Sequence, residues 1–176
     1  MAKLHEIILG GGCFWCLDAV YRQVKGIESS LCGYAGGTVA NPIYEQVSSG
    51  NTGHVEVVQL RYEPEVISLT TILDIFWATH DPTTLNRQGN DKGPQYRSII
   101  FYQNDEERAV IAASLTKAQK LWDDPIVTEV KPLDTFYPAE AYHQNYFVTH
   151  PEQAYCQVII NPKLQKLQHN FASLLK

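Results

Sequence analysis

The sequence predicts an α+β fold, a two-layer sandwich in which helices rest on a sheet made of short strands. Short apolar runs bounded by turn residues alternate with longer stretches whose apolar residues recur at helical spacing. Some of the connections are short enough for hairpins, whereas others contain a helix, and this mixture indicates an α+β sandwich. With no internal repeat, linker or low-complexity segment, residues 1–176 are expected to form one domain.

The composition narrows the classes of function. A chain of 176 residues can bury about two-thirds of its unfolded surface. Its net charge of −5, with no Lys/Arg cluster, argues against nucleic-acid or anionic-membrane surfaces. No apolar run approaches the ~18 residues of a membrane span, and residues 1–9 do not resemble a signal peptide. We therefore expect a cytoplasmic protein with reduced thiols that acts on a small molecule or a side chain.

The first half of the chain alternates strands and helices. Residues 3–9 are apolar enough for a strand, and residues 13–24 place their apolar side chains on one helical face, which ends at Gly26. Ser68 can cap the apolar helix that follows Pro64. The other predicted elements of this half are strands at 27–34 and 54–62, a short helical or irregular piece at 42–48, and a buried helix at 68–80.

The second half contains one unusually long connection. Residues 81–95 are polar and rich in turn residues, and a loop of this length is a candidate functional loop. The remaining predicted elements are strands at 96–102 and 126–130, and helices at 105–121, 139–148 and 163–175. The apolar run at 158–160 indicates that the segment after residue 151 is packed down and is not a free tail.

Residues 10–16, which read Gly-Gly-Gly-Cys-Phe-Trp-Cys, join the first strand to the first helix. Cys13 stands at the predicted start of the helix, where unpaired N–H groups and the positive helix end favour the thiolate. The three glycines leave the backbone bare, so that a substrate could approach the sulfur closely. The alternative is a flexible connection with a small buried cysteine.

Cys13 and Cys16 form a C-x-x-C motif. This spacing places both residues on one helical face, within reach of a disulfide. Phe14 and Trp15, between them, could wall an apolar pocket, or they could simply pack in the core. Zinc is a weak alternative because Cys32 and Cys156 are isolated. We expect no metal and no other cofactor.

Acidic and phenolic side chains elsewhere could serve as proton donors. Alternation along residues 54–62 puts Glu56 on the same face as Val58 and Leu60, where burial would raise its pKa and keep it protonated. The alternative is that this face is solvated where the strand begins. Local sequence alone also allows Asp91 to be a turn residue, and Tyr44 and Tyr96 to be half-buried packing.

Several motifs, taken together and in order, resemble a known family, the A-type peptide methionine sulfoxide reductases. The motifs cover most of the chain: Gly11-Cys13-Phe14-Trp15, Gly33-Tyr34-Ala35-Gly36-Gly37, Gly53-His54-Val55-Glu56, the loop at 88–98, and Ala141-Tyr142-His143-Gln144. The resemblance implies an α/β roll with a ferredoxin-like core, acting on the S epimer of methionine sulfoxide. It also implies Cys13 as nucleophile, Phe14 and Trp15 as the methyl pocket, and Glu56, Tyr44, Tyr96 and Asp91 around the sulfoxide oxygen.

The implied reaction leaves a sulfenic acid on Cys13, which a second thiol converts to a disulfide that thioredoxin reduces. The identity of this resolving thiol is open. Cys16 stands where many members of the family have Gly, and Ala154 precedes Tyr155-Cys156 where many have Gly in a mobile tail. Cys16 lies one helical turn from Cys13, whereas Cys156 needs its segment to reach across, so geometry slightly favours Cys16.

Two other functions compete with this one. A glutaredoxin-like disulfide oxidoreductase also places C-x-x-C after a first strand, but it leaves Glu56 and the long polar loop without a task. A redox sensor or binding module could dock methionine-rich segments on Phe14 and Trp15 without catalysis.

Overall fold

A six-stranded sheet forms the centre of the computed structural model, which describes residues 3–176. The first two residues of the predicted domain 1–176 lie outside this range. In chain order, the strands are β1 His5–Gly10, β2 Ile27–Ala35, β3 Val55–Tyr62, β4 Arg87–Gln88, β5 Asp91–Lys92, β6 Ile99–Tyr102, β7 Glu129–Pro132 and β8 Phe136–Pro138. The order across the large sheet is β7-β6-β1-β3-β2-β8, and β4 pairs with β5 in a separate hairpin. All neighbours are antiparallel except β6 and β7, which are parallel.

The helices are α1 Phe14–Tyr21, α2 Tyr44–Ser48, α3 Leu69–Thr79, α4 Asp105–Gln119, α5 Tyr146–Thr149 and α6 Asn161–Phe171. Ser68 caps α3 as predicted, because its hydroxyl accepts a hydrogen bond from the Thr71 N–H. Asn104 caps α4 in the same way, and acidic residues fill the first turn of α4, where they complement the helix dipole. No helix within residues 3–176 is long and apolar enough to cross a membrane.

The main hydrophobic core lies between the sheet and the helices. Ile7 and Leu9 point into this core, together with apolar residues of α1, α3, α4 and α6. Ile8, Val55 and Val57 point to the other face of the sheet, where they form a smaller core. This alternation is the two-residue period of a strand. The result is a mixed α/β fold in which α1, α3, α4 and α6 pack on one face of the sheet.

The predicted elements are present, but several boundaries differ for local reasons. The first helix is shorter than 13–24, since it ends at Tyr21 and Cys13 is its N-cap. The strand expected at 96–102 begins only at Ile99, because Pro94 starts a 3₁₀ turn before it. The strand expected at 126–130 begins at Glu129, because the Val127 N–H is bonded outside the sheet, to the Pro82 carbonyl.

The C-terminal third departs furthest from the predictions. The helix expected at 139–148 is interrupted by Asn145, whose φ of 54° separates a 3₁₀ turn at Ala141–His143 from α5. The run at 158–160 is packed down as expected, in a single π-helical turn, Cys156–Ile160, that continues directly into α6. Pro162 occupies the first turn of α6, where its missing N–H costs no helical hydrogen bond.

Candidate active site

Cys13 lies in the tight connection between β1 and α1. Gly12 has a φ of 87°, and a Cβ there would come within 2.8 Å of the Gln88 side chain. A Cβ at Gly11 would come within 2.9 Å of the His80 ring. The glycines are therefore needed because the long polar loop and α3 pack directly on this turn. Cys13 itself is 8% exposed.

The electrostatic environment of Cys13 differs from the expectation based on the helix end alone. Burial raises the pKa of Cys13 well above its ordinary value, and the charges of Glu56 and Cys16 raise it further. The N–H of Trp15 lowers it, which is the predicted contribution of the helix N-terminus, but that contribution is outweighed. Burial at this site therefore opposes the Cys13 thiolate that the helix start alone predicts.

Glu56 is buried on the helix-facing side of β3, with only 1% of its surface exposed. Its Oε1 accepts a hydrogen bond of 3.1 Å from the Phe14 N–H, so β3 and the start of α1 are connected through this carboxyl group. Burial raises the pKa of Glu56 to about 8, even though the bond from Phe14 lowers it. The carboxyl group is therefore protonated near neutral pH, and the alternative of a solvated face is wrong.

Tyr44 and Tyr96 both lie near Cys13 and Glu56. Burial raises the pKa of each phenol, and the charges of Glu56 and Cys13 raise both further. The backbone carbonyl of Tyr96 accepts a hydrogen bond of 3.2 Å from the Gly12 N–H, which fixes the 3₁₀ turn beside the cysteine. Both tyrosines are half-buried and remain neutral hydrogen-bond donors at physiological pH.

Asp91 also lies near Cys13, in strand β5 of the small hairpin. Its Oδ2 accepts a hydrogen bond of 2.6 Å from the Tyr155 hydroxyl. Together with Lys163, these residues line a cavity of about 420 Å³ that reaches Cys13. The long polar loop therefore does contribute to the site, and Asp91 is more than a turn residue.

Phe14 and Trp15 have different environments. Phe14 is completely buried, and its ring packs against Tyr34 and His143 with centroids 5.7 and 5.1 Å away. Trp15 is half-buried, stacks in parallel on Tyr146 at 3.8 Å, and donates its indole N–H to Nδ1 of His143 at 3.2 Å. Phe14 is thus fully packed in this conformation, whereas Trp15 is partly open to solvent.

All four cysteines are free and buried. Cys16 is 1% exposed, and its Sγ lies 3.5 Å from the Tyr155 hydroxyl. Burial raises the pKa of Cys16, while Lys163 and Tyr155 lower it. Cys156 begins the π-helical turn, and burial and the charge of Cys16 raise its pKa. Within residues 3–176, no group of three or more His, Cys, Asp or Glu side chains could hold a metal ion.

Comparison with known proteins assigns a family to this site. The family model described as peptide methionine sulfoxide reductase matches residues 5–175. The chain belongs to this family. A relative from Leptospira borgpetersenii named peptide methionine sulfoxide reductase MsrA is 57% identical over 163 residues, 93% of each chain. A relative of the same name from Paenarthrobacter aurescens is 54% identical over 172 residues, covering 98% of this chain and 99% of its own.

Solved structures agree with this assignment to the MsrA-type reductases. Mxr1 from Saccharomyces cerevisiae in reduced form matches with a TM-score of 0.84 at 38% identity, over 88% of this chain and 90% of its own. A structure of the same yeast protein in complex with Trx2 matches with a TM-score of 0.60 at 30% identity, over 82% and 85%. The glutaredoxin-like and non-enzymatic interpretations are therefore set aside, and the enzyme is an oxidoreductase of the MsrA type.

The reductase site also contains polar residues to which the sequence alone assigned no role. They hold the segment after β8 against the sheet and α2: the Glu140 carboxylate accepts hydrogen bonds from the Tyr34 hydroxyl and the Tyr44 N–H. The Gln144 amide pairs with both backbone groups of Cys32. A concentration of polar and aromatic residues at 140–146 is the only sign of this in the sequence, since the partners are more than ninety residues away.

Proposed function

We propose that this reductase converts the S epimer of methionine sulfoxide, free or within proteins, to methionine, with Cys13 as the nucleophile. The proposal depends above all on one observation, the buried Glu56 carboxyl group beside Cys13, with its pKa raised to about 8. A carboxyl group that is kept neutral at pH 7 can give a proton to an oxygen atom that gains charge during the reaction.

The chemistry of a sulfoxide requires such a group. Its sulfur is a poor electrophile until the oxygen is hydrogen-bonded or protonated, so an attacking thiolate needs an acid and hydrogen-bond donors opposite it. In the proposed reaction, Glu56 supplies the proton, and Tyr44 and Tyr96 supply hydrogen bonds. Asp91 lies at the edge of the same site. As the Cys13 sulfur attacks, its thiol proton leaves to solvent and the S–O bond of the sulfoxide breaks. The oxygen, with the proton from Glu56, becomes a sulfenic acid on Cys13, methionine is released, and Glu56 regains a proton from solvent.

We propose that Cys16 is the resolving thiol. It lies one turn after Cys13 in α1, whereas Cys156 belongs to a packed segment that follows α5. Condensation of the two groups gives a disulfide and water, and thioredoxin then reduces the disulfide. The complex of yeast Mxr1 with Trx2 supports thioredoxin as the reductant.

We further propose that the chain is one catalytic domain, an α/β roll around a ferredoxin-like core, in a cytoplasmic setting. The order β6-β1-β3-β2, with α1 and α3 as the two crossovers, supports the ferredoxin-like core. The match of the family model to residues 5–175 supports a single domain. Four free cysteines within the described residues support a reducing compartment.

A direct assay tests the reaction. The protein is incubated with dithiothreitol and racemic methionine sulfoxide, and methionine is measured. We expect loss of half the substrate, all of it the S epimer, and no methionine from Cys13→Ser, because a serine hydroxyl is not ionised near neutral pH. Turnover by Cys13→Ser would remove Cys13 from its central role, and reduction of only a small disulfide would indicate a different enzyme.

Peptide mapping after one equivalent of sulfoxide tests the resolving thiol. We expect a Cys13–Cys16 disulfide. Cys16→Ser should keep one round of reduction but lose thioredoxin-driven turnover, while Cys156→Ser keeps both. A Cys13–Cys156 linkage alone would overturn the choice of Cys16, and both linkages together would indicate that the disulfide passes from α1 to the C-terminal segment.

A further inference from the structure

The Tyr155 hydroxyl lies between a thiol and a carboxylate. Its oxygen is 2.6 Å from Oδ2 of Asp91 and 3.5 Å from Sγ of Cys16. A phenol has a single proton to donate, and the shorter bond, to a carboxylate, takes it. The longer contact is therefore a hydrogen bond from the Cys16 S–H to the phenol oxygen. The three groups form a directed chain from the thiol through Tyr155 to Asp91.

This chain leads from a buried atom to an open one. Cys16 is 1% exposed, so water cannot readily take its proton, and a buried thiol attacks slowly because the thiolate is the reactive form. Asp91 is half-buried and lines the 420 Å³ cavity, where it can exchange protons with solvent. Tyr155 connects the two, and it is held in place by an edge-on contact with the Trp15 ring at 5.9 Å.

We propose that Tyr155 and Asp91 form a proton relay that deprotonates Cys16 when it attacks the Cys13 sulfenic acid. This inference rests on the proposed function, because it requires Cys16 to be the resolving thiol. Tyr155 contacts the reacting sulfur directly, whereas Asp91 acts through Tyr155.

The step balances without any further reagent. The Cys16 proton passes to the Tyr155 oxygen while the Tyr155 proton passes to Asp91. The Cys16 sulfur then forms a bond to the Cys13 sulfur, and the S–O bond of the sulfenic acid breaks. The leaving hydroxide takes up one proton, equivalent to the one that Asp91 returns to solvent. The net reaction is thiol plus sulfenic acid to disulfide plus water.

The other charged and titratable groups around Cys16 are compatible with this direction of transfer. Lys163, which lines the same cavity, favours the thiolate, and after the transfer the Tyr155 hydroxyl donates to that thiolate. Asp91 and Glu56 oppose it. Asp91 loses its charge when it takes the Tyr155 proton, and Glu56 loses its charge when it regains a proton after the first step. The thiols of Cys13 and Cys156 are the remaining neighbours.

The test uses Cys156→Ser as the background, so that Cys16 is the thiol under study. In this background, Tyr155→Phe removes the relay hydroxyl and keeps the ring. After one equivalent of methionine S-sulfoxide, methionine release reports the first step, and loss of dimedone-reactive sulfenic acid reports disulfide formation. We expect methionine release within about twofold of the background, and disulfide formation slower by at least about tenfold at pH 7. The deficit should shrink as pH rises, since hydroxide then replaces the relay.

Tyr137→Phe is the matched control, because it also removes one phenol oxygen. Tyr137 lies in β8, and its ring packs on His54 and not on Cys16. It should leave both steps unchanged. Disulfide formation by Tyr155→Phe at the background rate would overturn the relay and leave Cys16 as resolving thiol. Equal slowing of both steps, or a deficit that is independent of pH, would assign Tyr155 a structural role and also overturn the relay. Absence of any Cys13–Cys16 disulfide in Cys156→Ser would instead overturn the resolving role itself.

Discussion

Glu56 illustrates how burial changes the chemistry of a single side chain. An exposed glutamate has a pKa of about 4.3 and no proton to give at pH 7, whereas this one keeps its proton up to a pH of about 8. Glu56→Gln keeps the shape of the side chain and a hydrogen-bond donor but has no transferable proton. We expect the sulfenic-acid-forming step to fall by roughly 10²-fold or more, the usual scale for general acid catalysis. Single-turnover rates equal to those of the parent would contradict this role.

The same pKa shift predicts how stability depends on pH. The folded protein holds the Glu56 proton up to a pH of about 8, whereas the unfolded chain releases it near pH ~4.3. Between these values the folded state binds more protons, so stability falls as pH rises, by at most about 1.4 kcal/mol per pH unit. Glu56→Gln does not have this dependence.

Denaturant unfolding of the parent and Glu56→Gln at pH 5 and pH 8 measures this effect. The stability of the variant relative to the parent should increase from pH 5 to pH 8. A constant difference would mean that Glu56 is not held protonated in the fold.

Phe14 and Trp15 should respond differently to truncation because only Phe14 is completely buried. Phe14→Ala leaves a cavity against Tyr34 and should cost about 3–5 kcal/mol of stability. Trp15→Ala should cost less stability, but it should lower kcat/KM for methyl sulfoxides by the equivalent of ~1–3 kcal/mol relative to bulkier ones. Thermal unfolding and a comparison of methyl with ethyl sulfoxides check both expectations. Equal selectivity in Trp15→Ala and the parent would remove Trp15 from the substrate pocket.

At the scale of elements, helix α1 connects the site to the C-terminal segment through a buried carboxylate. Asp18 accepts hydrogen bonds from the Arg22 guanidinium, the Ser30 hydroxyl and the Asn145 N–H. Asp18→Ala leaves the buried Ser30 hydroxyl without its acceptor, which costs about 1–3 kcal/mol, and also removes the acceptor of the half-buried Arg22 and Asn145 donors. We expect lower stability and faster proteolytic cleavage near residue 145. Asp18→Asn, which keeps acceptor oxygens, should retain part of the stability, and unchanged cleavage in Asp18→Ala would contradict the proposed connection.

Periodicity identified the elements whose surroundings are simple. Helix α3 and strand β3 are close to their predicted bounds because a core face and a cap or turn define each of them locally. The helix expected at 139–148 is broken at Asn145, whose N–H is bonded to Asp18, 127 residues away, and the sequence gives no local sign of this contact. The strands β4 and β5 contain only two residues each, too few for a periodic signal.

Across the whole molecule, the sequence predicted the candidate site residues and missed residues that contact them. Cys13 and Glu56 were predicted because a helix start and an apolar face are local features, and the structure places them together. Tyr155 and His143 were missed because their partners, Asp91 and Trp15, come from distant parts of the chain. The direction of the Cys13 pKa shift was missed for the same reason, because the sequence shows the helix start but not the burial of the thiol.

The arrangement of the whole molecule also predicts a movement during turnover. Cys13, Cys16 and Cys156 are all buried, so a protein reductant cannot reach a disulfide between any two of them in this conformation. A Cys13–Cys16 disulfide removes the S–H that donates to Tyr155, and with it one contact that holds the segment Cys156–Ile160 over α1. We therefore expect faster amide hydrogen exchange at residues 146–160 in the oxidised protein, because local opening is easier where fewer contacts hold a segment.

Hydrogen exchange measured by mass spectrometry, before and after one equivalent of methionine S-sulfoxide, checks this expectation. Peptides from β3 serve as the internal control, since its two neighbouring strands protect it and its exchange should not change. Cys13→Ser treated in the same way should show no difference at residues 146–160, because no disulfide forms. In the reduced form, residues 146–160 and the loop that carries Asp91 cover Cys13 and Cys16. Unchanged or slower exchange at residues 146–160 in the oxidised parent would therefore mean that the reductant reaches the disulfide by another route.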